Sequence, residues 1–261
     1  IYPIKSLGAV SLQKAVLEKE GLRGDRRFMI VDAQGKFITQ RTRPELTRFV
    51  LSESATGFIV QDSLTNKAKE LSWEPDLGSW ISVEIWEDSL QAPEVLEGWS
   101  EWFSTALGEE VKLVRLSEEK PRSMKSKYQT ELAKNTSFAD SLPLLVVGSG
   151  SYAALEDHLN DRVDRLRFRP NIIVATQEPF VEDTWAEIQV GEVRLSGAKP
   201  CARCSLVNVD PYSGESDKKT LKTLASFRTL NNKVYFGQQF VPISLGEIQV
   251  GDEVQIGRAH V

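Results

Sequence analysis

Cys201-Ala202-Arg203-Cys204 is the segment whose residue types and spacing are best suited to chemistry. Two thiols three positions apart admit four readings. A thioredoxin-type redox pair needs its first cysteine at a helix start after a strand, in a βαβ setting. Here the motif follows Val193-Arg194-Leu195 and precedes Ser205-Leu206-Val207-Asn208-Val209, a strand-like pattern on both sides, which disfavours that use. Structural zinc lacks partners: two cysteines plus His158 and His260 build no four-ligand cluster. Two buried, inert thiols are the third reading. The fourth is one thiolate bound to a soft metal centre whose other ligands come from a cofactor, with Arg203 favouring the thiolate electrostatically.

The scarcity of histidine removes whole classes. No His pair stands at zinc-protease spacing, and a Ser–His–Asp centre is not expected. His260 adjoins the end of the sequence, and His158 lies in a helical pattern among charged neighbours, so both read as surface residues. A net charge of -5 argues against nucleic acid or an anionic membrane as partner, because phosphate contacts demand a basic surface. A local basic pocket stays open. There is no apolar run of bilayer length and no leader pattern; with Ile1-Tyr2-Pro3-Ile4 already extended, a short native N-terminus is expected to precede the sequence. Two cysteines in this length point to a reducing, cytoplasmic setting.

At 41% hydrophobic and 26% charged, the 261 residues can bury a full core without a metal or disulfide staple. The elements that must position the chemistry fall into two parts. The first, residues 1–115, is β-rich. Arg27–Val31 and Lys36–Thr39 flank the turn Asp32-Ala33-Gln34-Gly35, and further strands fit Phe58–Val60 and Ser82–Trp86, as in a small barrel or meander. Trp99, Trp102, Phe103, Ala106 and Leu107 form an apolar helical stripe stopped by Gly108, read as core packing. Ser117–Asn135, rich in Lys, Glu and Ser, is the expected boundary.

The second part, 116–258, mixes elements. Strands are expected at Pro143–Val147 and Arg169–Val174, and helices at Ser151–Leu159 and Lys218–Arg228, the latter capped by Asp217. Ile188–Val193 echoes Ile248–Val254, each a strand–glycine turn–strand, and two such hairpins favour a β-barrel core. The fold class is thus mainly β with α (α+β).

Several strings, taken in order, resemble one family. They are Ile1-Tyr2-Pro3-Ile4-Lys5-Ser6, Gly24-Asp25-Arg26-Arg27-Phe28, Phe168-Arg169-Pro170-Asn171-Ile172, Glu182-Asp183-Thr184-Trp185, Pro200–Cys204, Val209-Asp210-Pro211 and Phe236-Gly237-Gln238. In that order they are similar to MOSC proteins, relatives of the molybdenum cofactor sulfurase C-terminal domain. Within that family the similarity points to the mitochondrial amidoxime-reducing component and its bacterial counterparts. It runs from the first residue to about Ile256, and implies a MOSC β-barrel core with flanking helices plus an N-terminal MOSC-associated β-rich domain.

The resemblance also implies roles. Cys204 corresponds to the protein ligand of molybdenum, and Cys201 to an accompanying position that does not bind metal. Lys5, Ser6, Arg27 and Arg169 match residues that hold the molybdopterin and its terminal phosphate, Asn171 and Arg203 would line the same pocket, and Asp140 matches a cofactor-side position, although the residues after it depart from the pattern. The chemistry agrees, since arginine suits a dianionic phosphate and lysine supports it. Pro170 is expected to hold Arg169 extended; Arg165 and Arg167 read as the solvated face of the same strand. Asp210 is either an acid that relays a proton near the metal or the start of the turn Asp210–Gly214.

The implied function is reduction of a small N-hydroxylated or N-oxygenated substrate by a molybdenum-cofactor oxidoreductase. The rival is a non-catalytic carrier of the cofactor or of a persulfide on Cys204. No pyridoxal phosphate, nucleic acid or membrane is expected. Some bacterial relatives carry a ferredoxin-like domain, whereas this sequence ends just after the barrel with no cysteine cluster for an iron–sulfur centre. Either a separate flavin or iron–sulfur protein is the expected electron donor, or a C-terminal segment follows the given sequence.

Overall fold

The computed structural model describes residues 1–259; His260 lies outside the described residues. In the first part, Phe28–Asp32 pairs with Val111–Arg115, which continues to Asp88–Val95 and Leu77–Ile85 in a four-stranded sheet. A three-stranded meander, Phe49–Glu53, Gly57–Asp62 and Ala68–Ser72, packs beside it. The expected hairpin turn at Asp32–Gly35 is present, closed by the Gly35 N–H on the Asp32 carbonyl at 2.9 Å.

Helix α1 spans Trp99–Leu107 and ends at Gly108 in the left-handed region. Trp99 and Phe103 are buried, and Phe49 meets Phe103 edge-on at 5.2 Å, so the aromatic stripe is core. Full burial of such rings contributes roughly 1.5–3 kcal/mol each.

The second part is one curled seven-stranded sheet, ordered Ile172–Val174, Leu144–Gly148, Lys233–Pro242, Val193–Ala202, Trp185–Val190 and Val254–Ala259, with Thr229–Leu230 added to the edge of Lys233–Pro242. Helices α2 (Ser149–Leu159) and α3 (Lys219–Arg228) cover it. The N-cap position of α3 is the left-handed Lys218, with no side-chain cap; Asp217, expected as the cap, sits one residue earlier and accepts from the Lys219 N–H at 2.9 Å. Gly237 has φ +78°, and a Cβ there would come within 2.8 Å of Val147 Cγ2, so only glycine fits the strand crossing. The two parts are tied together: Lys14–Glu18 pairs with Gly246–Gln249.

Four further local expectations differ. Gly246–Gln249 and Val254–Ala259 do not form a hairpin; the first pairs with Lys14–Glu18 and the second with Trp185–Val190. The echo of Ile188–Val193 is therefore one of sequence, because tertiary partners decide pairing. Arg165–Phe168 is a 3-10 turn, not strand, and the edge strand begins only at Ile172. Ser205–Asn208 is also a 3-10 turn, started where strand pairing of Arg203 ends. His158 is exposed, but its ring stacks on Phe227 at 4.0 Å and not only among charges. No helix among the described residues is long and apolar enough to cross a membrane.

Candidate functional site

Three turns meet where the two parts join. Residues Tyr2–Lys5 run alongside Arg26–Phe28, held by Arg26 N–H to Tyr2 O (2.9 Å), Phe28 N–H to Pro3 O (3.1 Å) and Lys5 N–H to Phe28 O (2.8 Å). The Phe138 N–H then bonds the Arg26 carbonyl at 2.9 Å, bringing in the segment before Asp140. The third turn ends at Arg169, whose guanidinium donates to the Leu7 carbonyl at 2.8 Å. Ser6, Arg26 and Arg169 all have positive φ (66°, 50° and 54°) although none is glycine. Such strain persists only where the surroundings over-determine it, and it collects at functional sites.

The side chains at this junction are mostly cationic. The Lys5 ammonium is buried and donates to the Phe138 carbonyl at 2.9 Å and to the Asp140 carboxylate, which also accepts from the Trp86 indole N–H at 3.2 Å. Burial pushes Lys5 down to about 8, with Asp140 opposing. Burial alone would raise Asp140, yet Lys5 holds its carboxyl well below the usual range. The Arg26 and Arg169 guanidinium carbons lie 4.6 and 4.1 Å from the Tyr2 ring centroid. Arg26 pairs with buried Asp25 at 2.5 Å and donates to the Arg169 carbonyl at 3.2 Å. Burial, with Arg26 alongside, pushes Arg169 down to about 10. Asn171 accepts from the Leu145 N–H at 3.1 Å and from Arg26 at 3.4 Å.

Arg203 links this cluster to the cysteines. Its guanidinium donates to the Phe168 carbonyl at 2.8 Å, the residue before Arg169, and to the Cys201 sulfur at 3.1 Å. It thus faces Cys201, not the neighbouring Cys204 as the sequence suggests. Cys201 is buried; Cys204 is exposed and extended, with φ -120° and ψ -176°.

Of the residues expected at one site, Lys5, Ser6, Asp140, Arg169 and Asn171 are brought together, with Arg203 joined through the Phe168 carbonyl and the exposed Cys204 following it in sequence. Arg27 is not. Its guanidinium turns away to Glu18 (2.8 Å) and Glu20 (3.6 Å), and Arg26 stands in its place. Arg169 is left-handed instead of extended, because its N–H closes the 3-10 turn on the Leu166 carbonyl at 3.1 Å. Arg167 is no solvated strand residue either: it donates to Asn208 O and pairs with Asp210, both at 2.9 Å.

Asp210 takes the turn role. One carboxylate oxygen accepts from the Tyr212 and Ser213 N–H groups at 3.0 and 2.9 Å. Burial opposes, but those donors and Arg167 hold its pKa low, which makes a poor proton donor. Sequence reasoning missed Tyr2, Asp25 and Arg26. The string Asp25-Arg26-Arg27 contains the signal but not which arginine turns inward; only the positive φ at Arg26 decides it.

The donor set can be tested for fit with an anionic, sulfur-ligated cofactor. Arg169 Nη2, Asn171 Nδ2 and Arg203 Nε are buried donors with no protein partner. An unsatisfied buried donor costs roughly 1–3 kcal/mol; Trp99 Nε1 and Trp185 Nε1 elsewhere are also unpartnered, so what marks these three is that they belong to one cationic cluster. They fit a group bearing acceptor oxygens, beside a soft exposed thiol.

Two family models match the sequence: "MOSC N-terminal beta barrel domain" over residues 1–110 and "MOSC domain" over 133–255. The mitochondrial amidoxime-reducing component 1 of Mus musculus is 30% identical, over 98% of this chain and 80% of the relative. Its Homo sapiens counterpart is 27% identical, over 98% and 81%. The molybdenum cofactor sulfurase of Oryza sativa is 29% identical over 91% of this chain, which spans 31% of that relative.

Proposed function

This chain belongs to the MOSC family, and from that premise we propose that it is a molybdenum-cofactor-binding reductase of N-hydroxylated or N-oxygenated compounds, with the Cys204 thiolate as the metal's protein ligand. The carrying observation is the cationic cluster at Arg26 and Arg169, where Arg169 Nη2, Asn171 Nδ2 and Arg203 Nε lack partners, with the exposed Cys204 next in sequence to Arg203. The amidoxime-reducing relatives supply the substrate class, and the exposure of Cys204 agrees with access for a small molecule.

In this reading Arg26, Arg169 and Lys5 bind the cofactor's phosphate end, with charge-assisted bonds roughly twice the strength of neutral ones. Asn171 Nδ2 and Arg203 Nε offer further donors. Ser6, buried in the turn Ile4–Leu7, keeps the Lys5 backbone in place. Asp140 holds the Lys5 ammonium and orients it. The cofactor, when bound, supplies a two-electron centre able to take oxygen from nitrogen. The balance is R–NHOH + 2e⁻ + 2H⁺ → R–NH₂ + H₂O, with electrons from a separate flavin or iron–sulfur protein. The division into residues 1–115 and 116–258 is part of the same reading, with the cofactor lodged between them.

A second reading has one observation in its favour. An exposed Cys204 suits a persulfide or cofactor carrier, and a molybdenum cofactor sulfurase is among the relatives. The test is turnover of benzamidoxime by molybdenum-loaded protein with reduced methyl viologen. Benzamidine formed at one per two electrons supports the reductase. A fully loaded sample that reduces none of a panel of N-hydroxylated compounds overturns it in favour of the carrier.

A further inference from the structure

We propose that the surface around Cys204 formed by the start of α3 and the hairpin Thr229–Val234 is the docking site of an acidic electron-carrier protein, an inference that rests on the reductase reading. Strand Val193–Ala202 ends with Ala202 opposite Tyr235, and the Arg203 N–H bonds the Val234 carbonyl at 2.7 Å. Continuing that antiparallel register brings the extended Cys204 level with Lys233. Leu230 pairs with Lys233 across the two-residue loop Asn231-Asn232, both left-handed, which is the geometry of a tight type I′ hairpin. On the other flank, the α3 backbone at Leu221 donates to Asn208 Oδ1 at 2.9 Å, fixing the helix against the 3-10 turn that follows Cys204.

The charge of this surface runs against that of the chain. Residues 215–233 carry Lys218, Lys219, Lys222, Arg228 and Lys233 against Glu215 and Asp217, while the whole chain has net charge -5. Arg228 is taken up by Asp183, and Lys219 by Asp161 at 3.3 Å. Lys218, Lys222 and Lys233 are exposed and make no ion pair among the described residues. Among the acids nearby, Asp210 pairs with Arg167, Asp217 accepts from the Lys219 N–H, and Glu215 is exposed. Leu230, 64% exposed, pairs with Lys233 across the hairpin, while Lys218 and Lys222 lie towards the start of α3.

An exposed apolar residue on a surface that also carries free cations suits a small transient interface, with charge setting encounter and orientation and the apolar residue setting residence. A one-electron iron–sulfur carrier docking twice, or a flavin protein docking once, delivers the two electrons that the reduction consumes and leaves oxidised. Nucleic acid, the other polyanion, is disfavoured by the acidic remainder of the chain.

The test is a binding titration of the full chain with a plant-type [2Fe–2S] ferredoxin and with flavodoxin, both acidic carriers, at low ionic strength and at about 0.5 M salt, where the Debye length is about 4 Å. Saturable binding that weakens with salt is expected. The K218E/K222E/K233E variant should lose about tenfold in affinity and L230S should dissociate several-fold faster, each with unchanged thermal unfolding, while the remote K14E/K67E variant binds like the parent. No saturable binding by the parent, equal binding by the triple variant, an equal loss in K14E/K67E, or equal affinity for a short single-stranded DNA would each overturn the proposal. The titration needs no turnover, so failure of the viologen assay would count against the reductase reading and leave this result to stand alone.

Discussion

Two groups of buried charge in this molecule are built on opposite terms. Glu182 is fully buried, yet both carboxylate oxygens accept from the Ser151 hydroxyl, at 2.7 and 2.9 Å, and the Gly148 N–H at the start of α2 also points to it. Its carboxylate oxygens are partnered within the fold, although burial still raises its pKa. The Lys5–Arg26–Arg169 cluster is crowded with like charge, held by three strained residues, and leaves buried donors without partners. Burial is common to both; satisfaction is what separates a structural group from one built to receive a ligand.

The sharpest way to break this contrast is to remove the paired arginines. Arg26→Ala with Arg169→Ala is expected to lower cofactor retention about 100-fold, from the loss of two charge-assisted contacts. Thermal unfolding of the cofactor-free protein should fall as well, since buried Asp25 loses its Arg26 partner, so molybdenum content is the readout that decides. A large loss of stability with normal molybdenum content would make the cluster structural.

Glu182→Ala is the converse. It leaves Ser151 and the Gly148 N–H unpaired in the interior, and chemical denaturation should register about 2 kcal/mol of lost stability with the metal-to-protein ratio unchanged. Burial raises the pKa of Glu182 above its ordinary 4.5. The folded state therefore holds this proton more tightly, and the associated stability is lost as pH rises through the folded value. Glu182→Gln should flatten that part of the profile.

Lys5 titrates in the other direction. Lowered to about 8 from 10.5, it is neutral in the folded cofactor-free state at pH values where the unfolded chain keeps its proton. Stability from this group thus rises with pH between about 8 and 10.5. Retention of an anionic cofactor should fall over the same window, by up to about tenfold per pH unit, because the ammonium is needed for the grip. Lys5→Met should abolish the pH dependence of retention above 8; its persistence would move the titration elsewhere.

The smallest effect is expected at Arg27. Its pairs with Glu18 and Glu20 lie at the surface side of the strand, so Arg27→Ala should cost no more than about 1 kcal/mol and leave retention unchanged. Loss of cofactor on this substitution would show that the sequence pattern, and not the observed side-chain direction, identifies the ligand-facing arginine.

How much of this was legible beforehand follows the range of the interactions. Helix α1 was readable from its 3.6-residue aromatic spacing and Gly108, because a single element carries the signal. The turn at Arg169 was not, since Pro170 favours extended backbone and only the 3-10 closure on Leu166 and contacts from Arg26 and Leu7 override it. The false hairpin at Ile248–Val254 failed because the partner of Gly246–Gln249 lies more than two hundred residues earlier. In the site, residue types were visible as Lys5, Asp140, Arg169 and Cys204. The choice of Arg26 over Arg27, and the turning of Arg203 to Cys201, depend on one-residue differences in backbone direction that spacing does not record.

The central claim is most directly tested by elemental mass spectrometry for molybdenum on protein from a cofactor-competent host, with Cys204→Ser and Cys201→Ser prepared beside it. Near-stoichiometric metal in the parent and Cys201→Ser, with a loss of at least about tenfold in Cys204→Ser, is the predicted result, since the proposal makes the exposed Cys204, not the buried Cys201, the soft ligand. Equal, negligible metal in all three, from a host that loads a control molybdenum enzyme, would contradict it.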